Sequence, residues 1–125
     1  MARLRVSRSA RADLASILKT SLEHWGEDGR ARYAALIAAA MRRTAAEPYG
    51  RLTRAHPELV PGVRSFHVRH LRHGHGVGAP VHVLYYRPTS AGPIEIVRVL
   101  HERMDPQRHL GTRAKAPRAR GPRRQ

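Results

Sequence analysis

Basic, phenolic and imidazole side chains stand in and directly after the last two apolar stretches of the chain, "VHVLYYR" and "IEIVRVLHERMD". An arginine binds a phosphate with a bidentate fork, a tyrosine stacks on a base, and a histidine moves a proton near neutral pH. We therefore predict a set of target-binding residues: Arg64, Arg69, Tyr86, Arg87, His101 and Arg103. For a nuclease without a metal, the catalytic candidates are Arg87, His101 and Arg103. Composition alone favours binding, because Arg and Tyr are ordinary interface residues.

Two other patterns resemble sites of known chemistry, and neither predicts one. His67, His70, His73 and His75 are close in sequence. However, His67 and His70 would point to opposite faces of a strand, and no acidic ligand stands nearby. The Gly-rich "GHGVG" lacks the lysine and the hydroxyl residue of a phosphate-binding loop. We predict no metal and no cofactor.

The composition describes one small basic domain. The chain has 125 residues and a formal net charge of +15, and six of its 24 basic residues lie in the last fifteen positions. Basic residues outnumber acidic ones in the rest of the chain as well, which favours a nucleic acid or an acidic protein as partner. The chain has no cysteine and no apolar leader, and its longest apolar run, Ala34–Met41, is far too short for a membrane span. We expect a cytoplasmic protein without membrane contact.

The N-terminal half predicts a short strand and two helices. The stretch "LRVS" (Leu4–Ser7) alternates apolar and polar residues as a strand does. Ser9 is the predicted N-cap of a first helix that ends at Gly26, and a second helix follows over Arg30–Glu47. The apolar face of the second helix is Tyr33, Leu36, Ile37, Ala40, Met41 and Thr44. So short a link between two helices predicts an antiparallel helical hairpin.

The C-terminal half predicts three strands, over residues 63–72, 81–87 and 94–101. Turns between them would give a small antiparallel meander, with the helical hairpin packed on one face. The predicted fold class is therefore α+β, in the order β-α-α-β-β-β. Residues 1–110 form the predicted single domain, and the Pro-, Gly- and Arg-rich residues 111–125 are predicted to be a basic disordered tail.

The last predicted strand is apolar on both faces, and two helices can cover only one. One face of this strand carries Ile94, Ile96, Arg98 and Leu100. We predict that this face meets a partner protein, where an arginine is useful. The alternative is that loops of the same chain fold back over it.

Several stretches together resemble a known family. "VHVLYYR", a turn with glycine and "IEIVRVLHERMD" resemble the C-terminal signature of the ParE toxins in the RelE/ParE superfamily. "ADLASILKTSLEHWGEDGRARYAALIAAAM" resembles the helical hairpin of that family, and "VPGVRSFHV" resembles the entry to its second strand. The resemblance covers about Leu4 to Leu110 and implies a RelE/ParE-like fold.

The resemblance also implies the toxin component of a type II toxin–antitoxin system. ParE members poison DNA gyrase and block replication, whereas RelE members cut mRNA on the ribosome. "RVLHERMD" is closer to the ParE form, and no tyrosine after Tyr86 matches the C-terminal tyrosine of the nucleases. The resemblance therefore favours a gyrase inhibitor that is not an enzyme, with a RelE-like mRNA endoribonuclease as the alternative.

A cognate antitoxin is the partner that the resemblance implies, and an acidic one would complement the basic chain in a hetero-oligomer. The residues predicted to bind it are Leu14, Leu18, Trp25, Ile94, Ile96, Arg98 and Leu100. For Leu14 and Leu18 the alternative, a place in the core, is the favoured interpretation. The "LRHGHGVGAP" hairpin and the basic tail are departures from the family pattern.

Overall fold

The computed structural model describes residues 3–90 and 92–111. The predicted disorder of the tail falls on residues that lie outside these ranges, apart from Gly111, and the division at residue 110 stays a prediction. The elements in chain order are β1 (Leu4–Val6), α1 (Arg8–Ala46), β2 (Arg54–Ala55), β3 (Arg64–His67), a 3-10 helix (Val68–Leu71), β4 (His82–Arg87), β5 (Ile94–His101) and α2 (Pro106–Leu110). No helix within the described ranges is long and apolar enough to cross a membrane.

Helix α1 comprises the two predicted helices, joined at Gly26. This glycine has φ 74° and ψ −174°, a conformation that breaks the helix and that a residue without Cβ adopts at little cost. The predicted end of the first helix is thus confirmed, and the second segment resumes directly after it. The predicted N-cap, Ser9, is wrong. Ser7 caps the helix instead, because its Oγ accepts from Ala10 N at 3.0 Å while donating to Val97 O at 2.9 Å.

The sheet has five strands in the order β1-β5-β4-β3-β2. Strands β3, β4 and β5 form the predicted antiparallel meander, and β2 adds an antiparallel edge. Strand β1 lies parallel to β5, with Leu4 opposite Ile94, so the sheet is mixed rather than purely antiparallel. The predicted strand over residues 63–72 is shorter than expected. It ends at His67, whose Nδ1 accepts from Arg69 N at 3.0 Å and caps the 3-10 helix.

A β-bulge in β5 reverses which residues face the helices. Tyr85 pairs with Arg98, but Tyr86 pairs with Ile96, so Val97 is an extra residue in β5. Ile94 and Ile96 therefore lie in the core beneath α1, where they are 3% and 0% exposed. The core cluster comprises Ala10, Tyr33, Leu36, Ile37, Ala40, Met41, Phe66, Val68, Leu84, Tyr86, Ile94, Ile96 and Val99.

The far face of the sheet is covered by the chain itself. Leu100 is 2% exposed and packs with Leu59, Val63 and Tyr85 in a second cluster, against which Leu110 of α2 also lies. The structure thus corrects the prediction of an open apolar face at Ile94, Ile96 and Leu100, because the bulge and the segment before β3 bury all of them. The alternative, loops folded over that face, is what the structure shows.

Candidate functional site

A groove of about 720 Å³ lies between α1, the Gly-rich loop before β4 and the end of β5, and residues on both sides of Gly26 line it. Large apolar side chains stand exposed along it: Trp25 is 69% exposed and Met104 is 45% exposed. Ile17 of α1 and Val77 of the Gly-rich loop also line it. Apolar surface concentrated in a concave site favours a partner over solvent.

The Gly-rich loop forms one wall of this groove and follows the side chain of Arg32 closely. Gly76 has φ +69°, and a Cβ built there would lie 2.8 Å from Cδ of Arg32. A side chain at this position would therefore displace either the loop or Arg32 as well as strain the backbone. Gly74 has φ +85° but open space around it, and Gly78 has open space too. Gly76 is thus the glycine that fixes how the loop meets α1.

A tyrosine–histidine pair lines the groove. Val81 N donates to the Tyr33 hydroxyl at 3.2 Å, and this hydroxyl lies 2.6 Å from Nδ1 of His82. Since the hydroxyl oxygen accepts from Val81, its proton is free to be donated to His82. Burial, followed by the nearby His101 and His67, lowers the pKa of His82 to about 4. Burial also raises the pKa of Tyr33. Both groups are therefore neutral at pH 7.

The end of β5 brings His101 beside this pair. The rings of His82 and His101 meet edge to face with centroids 5.7 Å apart. Nδ1 of His101 accepts from Arg103 N at 3.0 Å, so a neutral His101 carries its proton on Nε2. The next residue, Glu102, contacts His67: its Oε1 lies 2.6 Å from Nε2 of His67, and this contact lowers the pKa of Glu102. Within the described ranges, no three His, Asp or Glu side chains converge as a metal site requires.

The predicted target-binding residues occupy two opposite ends of the sheet. His82 pairs with His101, whereas Arg87 pairs with Glu95 five residues along β4, which corresponds to roughly 17 Å. The nuclease candidates Arg87, His101 and Arg103 are therefore not brought together. Arg69 follows β3 at the His101 end.

At the other end of the sheet, Tyr86 and Arg64 hold a turn rather than face solvent. Tyr86 is 0% exposed, so its ring is not free to stack on a base, and its hydroxyl donates to Pro48 O. Arg64 donates to the same carbonyl at 3.1 Å and to Thr53 Oγ1 at 2.7 Å. Arg87 donates to Glu95 Oε1 at 3.0 Å.

The residues predicted to bind an antitoxin also separate into groups. Trp25 is exposed at the groove, Leu18 is half-buried, and Leu14 packs against the core. Arg98 is half-buried, and its guanidinium donates to both carboxylate oxygens of Asp13. The charge inside the last strand thus has a partner within the chain.

Other residues of the groove could not be identified from the sequence. Tyr33 follows the apolar period of the helix, and His82 and Met104 carry no spacing that links them. "GHGVG" does not match a phosphate loop, but its last three residues, Gly76, Val77 and Gly78, line the groove. The available signal was the length of the "HGHGVGAP" loop, which exceeds what a minimal hairpin needs.

Comparisons with known proteins agree with one another. Residues 4–106 match the family model described as "ParE toxin of type II toxin-antitoxin system, parDE". A protein named Toxin ParE1 from Mycobacterium tuberculosis (strain CDC 1551 / Oshkosh) is 37% identical over 105 residues, 84% of this chain and 94% of the relative. Toxin ParE1 from Caulobacter vibrioides is 32% identical over 107 residues, 86% of this chain and 96% of the relative.

A solved structure supports the fold. It is described as "Chromosomal ParDE TA system from P. aeruginosa" and superposes with a TM-score of 0.59 at 20% identity. The match covers 81% of this chain and 96% of that chain. At this identity the likeness concerns the fold alone, and it confirms the predicted α+β RelE/ParE-like class.

Proposed function

This chain belongs to the ParE toxin family of type II toxin–antitoxin systems, and from that premise we propose that it poisons DNA gyrase in the cytoplasm and so blocks replication. The observation that carries the proposal is the match over residues 4–106, which spans every element from β1 to the start of α2. The two ParE1 relatives, matched over more than nine-tenths of their length, support the same assignment.

We further propose that the cognate antitoxin occupies the groove beside the Gly-rich loop. Trp25 and Met104 are two of the large apolar side chains that the described chain leaves exposed, and both line the groove. Arg32 at its wall and the net charge of +15 favour an acidic segment. An antitoxin segment that buries Trp25 against the loop would combine an apolar anchor with a charge contact.

The separation of the nuclease candidates favours gyrase over RNA. A general acid or base and its phosphate-binding arginine must lie within reach of the same phosphate. Arg87 lies roughly 17 Å along the sheet from the His101 end, so these residues cannot share one substrate phosphate. His101 and Arg103 remain neighbours, and the RelE-like alternative stays a prediction that rests on them.

Macromolecular synthesis in cells tests the choice of target. The toxin is induced in cells that lack the antitoxin, and incorporation of thymidine and of methionine is followed over time. A gyrase poison stops DNA synthesis first, while protein synthesis continues. Early loss of protein synthesis, with codon-linked cuts detected by primer extension on translated messages, would instead establish the endonuclease.

A further inference from the structure

The turn over residues 48–53 presents an aromatic ring that the proposed function does not use. Tyr49 is 70% exposed, and the guanidinium of Arg64 lies over its ring at 5.0 Å from the centroid. Single exposed aromatic residues are ordinary on protein surfaces. Tyr49 differs because its underside is covered by a cation, which fixes the ring and leaves the opposite face to solvent.

The supports beneath this ring are rigid. Arg64 is held by its hydrogen bonds to Pro48 O and Thr53 Oγ1, and the buried Tyr86 hydroxyl donates to the same Pro48 carbonyl. The turn itself is closed by two backbone bonds, from Gly50 N to Glu47 O and from Thr53 N to Gly50 O, each of 3.0 Å. An aromatic platform that is already ordered loses little entropy when a ligand stacks on it.

Cations flank the platform. Arg51 is exposed two residues after Tyr49 in the same turn. Arg64 adds a second positive charge below the ring. The nearby Glu47 is paired with Arg43 at 3.0 Å, which reduces its repulsion of an anion. A stacking ring with arginines beside it matches the chemistry of a flexible polyanion that carries unstacked bases.

We propose that Tyr49 and Arg51, supported by Arg64, form a binding site for single-stranded nucleic acid. Tyr49 stacks on an unpaired base, and the exposed Arg51 holds the adjoining phosphate. We term this surface the Tyr49 platform. Helix α1 continues for 13 residues from the groove residue Tyr33 to its end at Ala46, about 20 Å of helix, so the platform lies well away from the groove. An antitoxin seated in the groove therefore leaves the platform free.

Fluorescence anisotropy of the full chain with labelled oligothymidine and oligouridine tests the platform. Stacking of a base is worth about 1–3 kcal/mol, so Tyr49→Ala should weaken binding at least about fivefold. Tyr49→Phe keeps the ring and should bind as the unmodified chain does. Arg51→Gln should weaken binding and reduce the salt dependence by about 0.7 in the log–log slope. The oligothymidine and oligouridine arms distinguish DNA from RNA as the source of the strand.

A matched aromatic control makes the result decisive. Trp25 is 69% exposed against 70% for Tyr49, but it lies in the groove. Trp25→Ala should leave oligonucleotide affinity unchanged. Equal affinities for Tyr49→Ala and Trp25→Ala would overturn the proposal. So would a Tyr49→Ala variant that loses antitoxin affinity but binds oligonucleotides normally, because the platform would then be a protein contact.

Discussion

Arg98 of β5 donates two parallel hydrogen bonds to Asp13 of α1, from Nε to Oδ2 at 2.8 Å and from Nη2 to Oδ1 at 2.9 Å. Asp13 Oδ2 also accepts from Val99 N at 2.9 Å, next to the bulge. One carboxylate therefore links the first helical segment to β5 at the point where the alternation of that strand is interrupted. The arginine within an apolar strand is explained by a contact inside the chain.

Loss of this carboxylate should destabilise the fold. Asp13→Asn keeps the size of the side chain but removes the charge that Arg98 and Val99 contact, at a cost of about 2 kcal/mol. The measurement is the free energy of unfolding in urea. Glu27→Gln is the control, because Glu27 forms an exposed pair with Arg30 that should be worth less than about 0.5 kcal/mol. Equal effects of the two substitutions would show that the Asp13 contact is not a structural tie.

The free energy of unfolding should decrease as the pH is lowered, because of His82. Its pKa is lowered from 6.5 to about 4 in the folded chain, chiefly by burial. Between these values the unfolded chain binds more protons, so stability is full above pH 6.5 and is lost as the pH falls towards 4. The slope from this residue is at most about 1.4 kcal/mol per pH unit.

The urea midpoint measured across that pH range isolates this contribution. His82→Gln should flatten the pH dependence relative to the unmodified chain. His73→Gln, at an exposed position in the Gly-rich loop, should leave it unchanged. An unaltered slope in His82→Gln would mean that other groups govern the acid sensitivity.

Trp25 should be a main anchor of the antitoxin. Because its side chain is mostly exposed, Trp25→Ala should leave the urea midpoint within error of the unmodified chain. Antitoxin affinity, measured by calorimetry, should fall about tenfold or more, as expected for a buried interface tryptophan. Tyr49→Ala removes an equally exposed ring outside the groove and should bind the antitoxin normally. Normal affinity of Trp25→Ala would place the antitoxin elsewhere.

A graded glycine series should show that the loop shapes the groove. Gly78→Ala meets open space and should be neutral, whereas Gly74→Ala adds only backbone strain of about 1 kcal/mol at its positive φ. Gly76→Ala adds similar strain and also displaces Arg32, so antitoxin affinity should fall in this variant beyond the fall in Gly74→Ala. Equal antitoxin affinity in the Gly74 and Gly76 variants would remove Arg32 from the binding surface.

Periodicity in the sequence predicted the helices and strands in which apolar residues recur at a regular spacing. All six residues of the predicted face of the second helix, from Tyr33 to Thr44, are buried, and β5 has the predicted bounds. Strand β2 was not predicted, because a strand of two residues is too short to show an alternation of apolar and polar residues. The prediction that Ile96 and Leu100 share one face of β5 was wrong, because a bulge at Val97 shifts the alternation by one residue. Nothing in the composition of β5 marks the place of this bulge.

The groove and the Tyr49 platform could not be predicted for a related reason. Asp13 and Arg98 are 85 positions apart, and Tyr33 and His82 are 49 apart. Such pairs depend on how α1 is placed on the sheet, which no local pattern encodes. Resemblance to the family identified the class of protein, whereas contacts between distant segments identified the surfaces.

Purified gyrase with supercoiled plasmid tests the central claim most directly. Reactions with the full chain are stopped with detergent and protease, and linear DNA is measured on a gel. We expect linear plasmid to accumulate with increasing toxin and to disappear when the cognate antitoxin is added first. Normal supercoiling with no trapped DNA at excess toxin, in a preparation that still binds its antitoxin, would contradict the assignment of gyrase as the target.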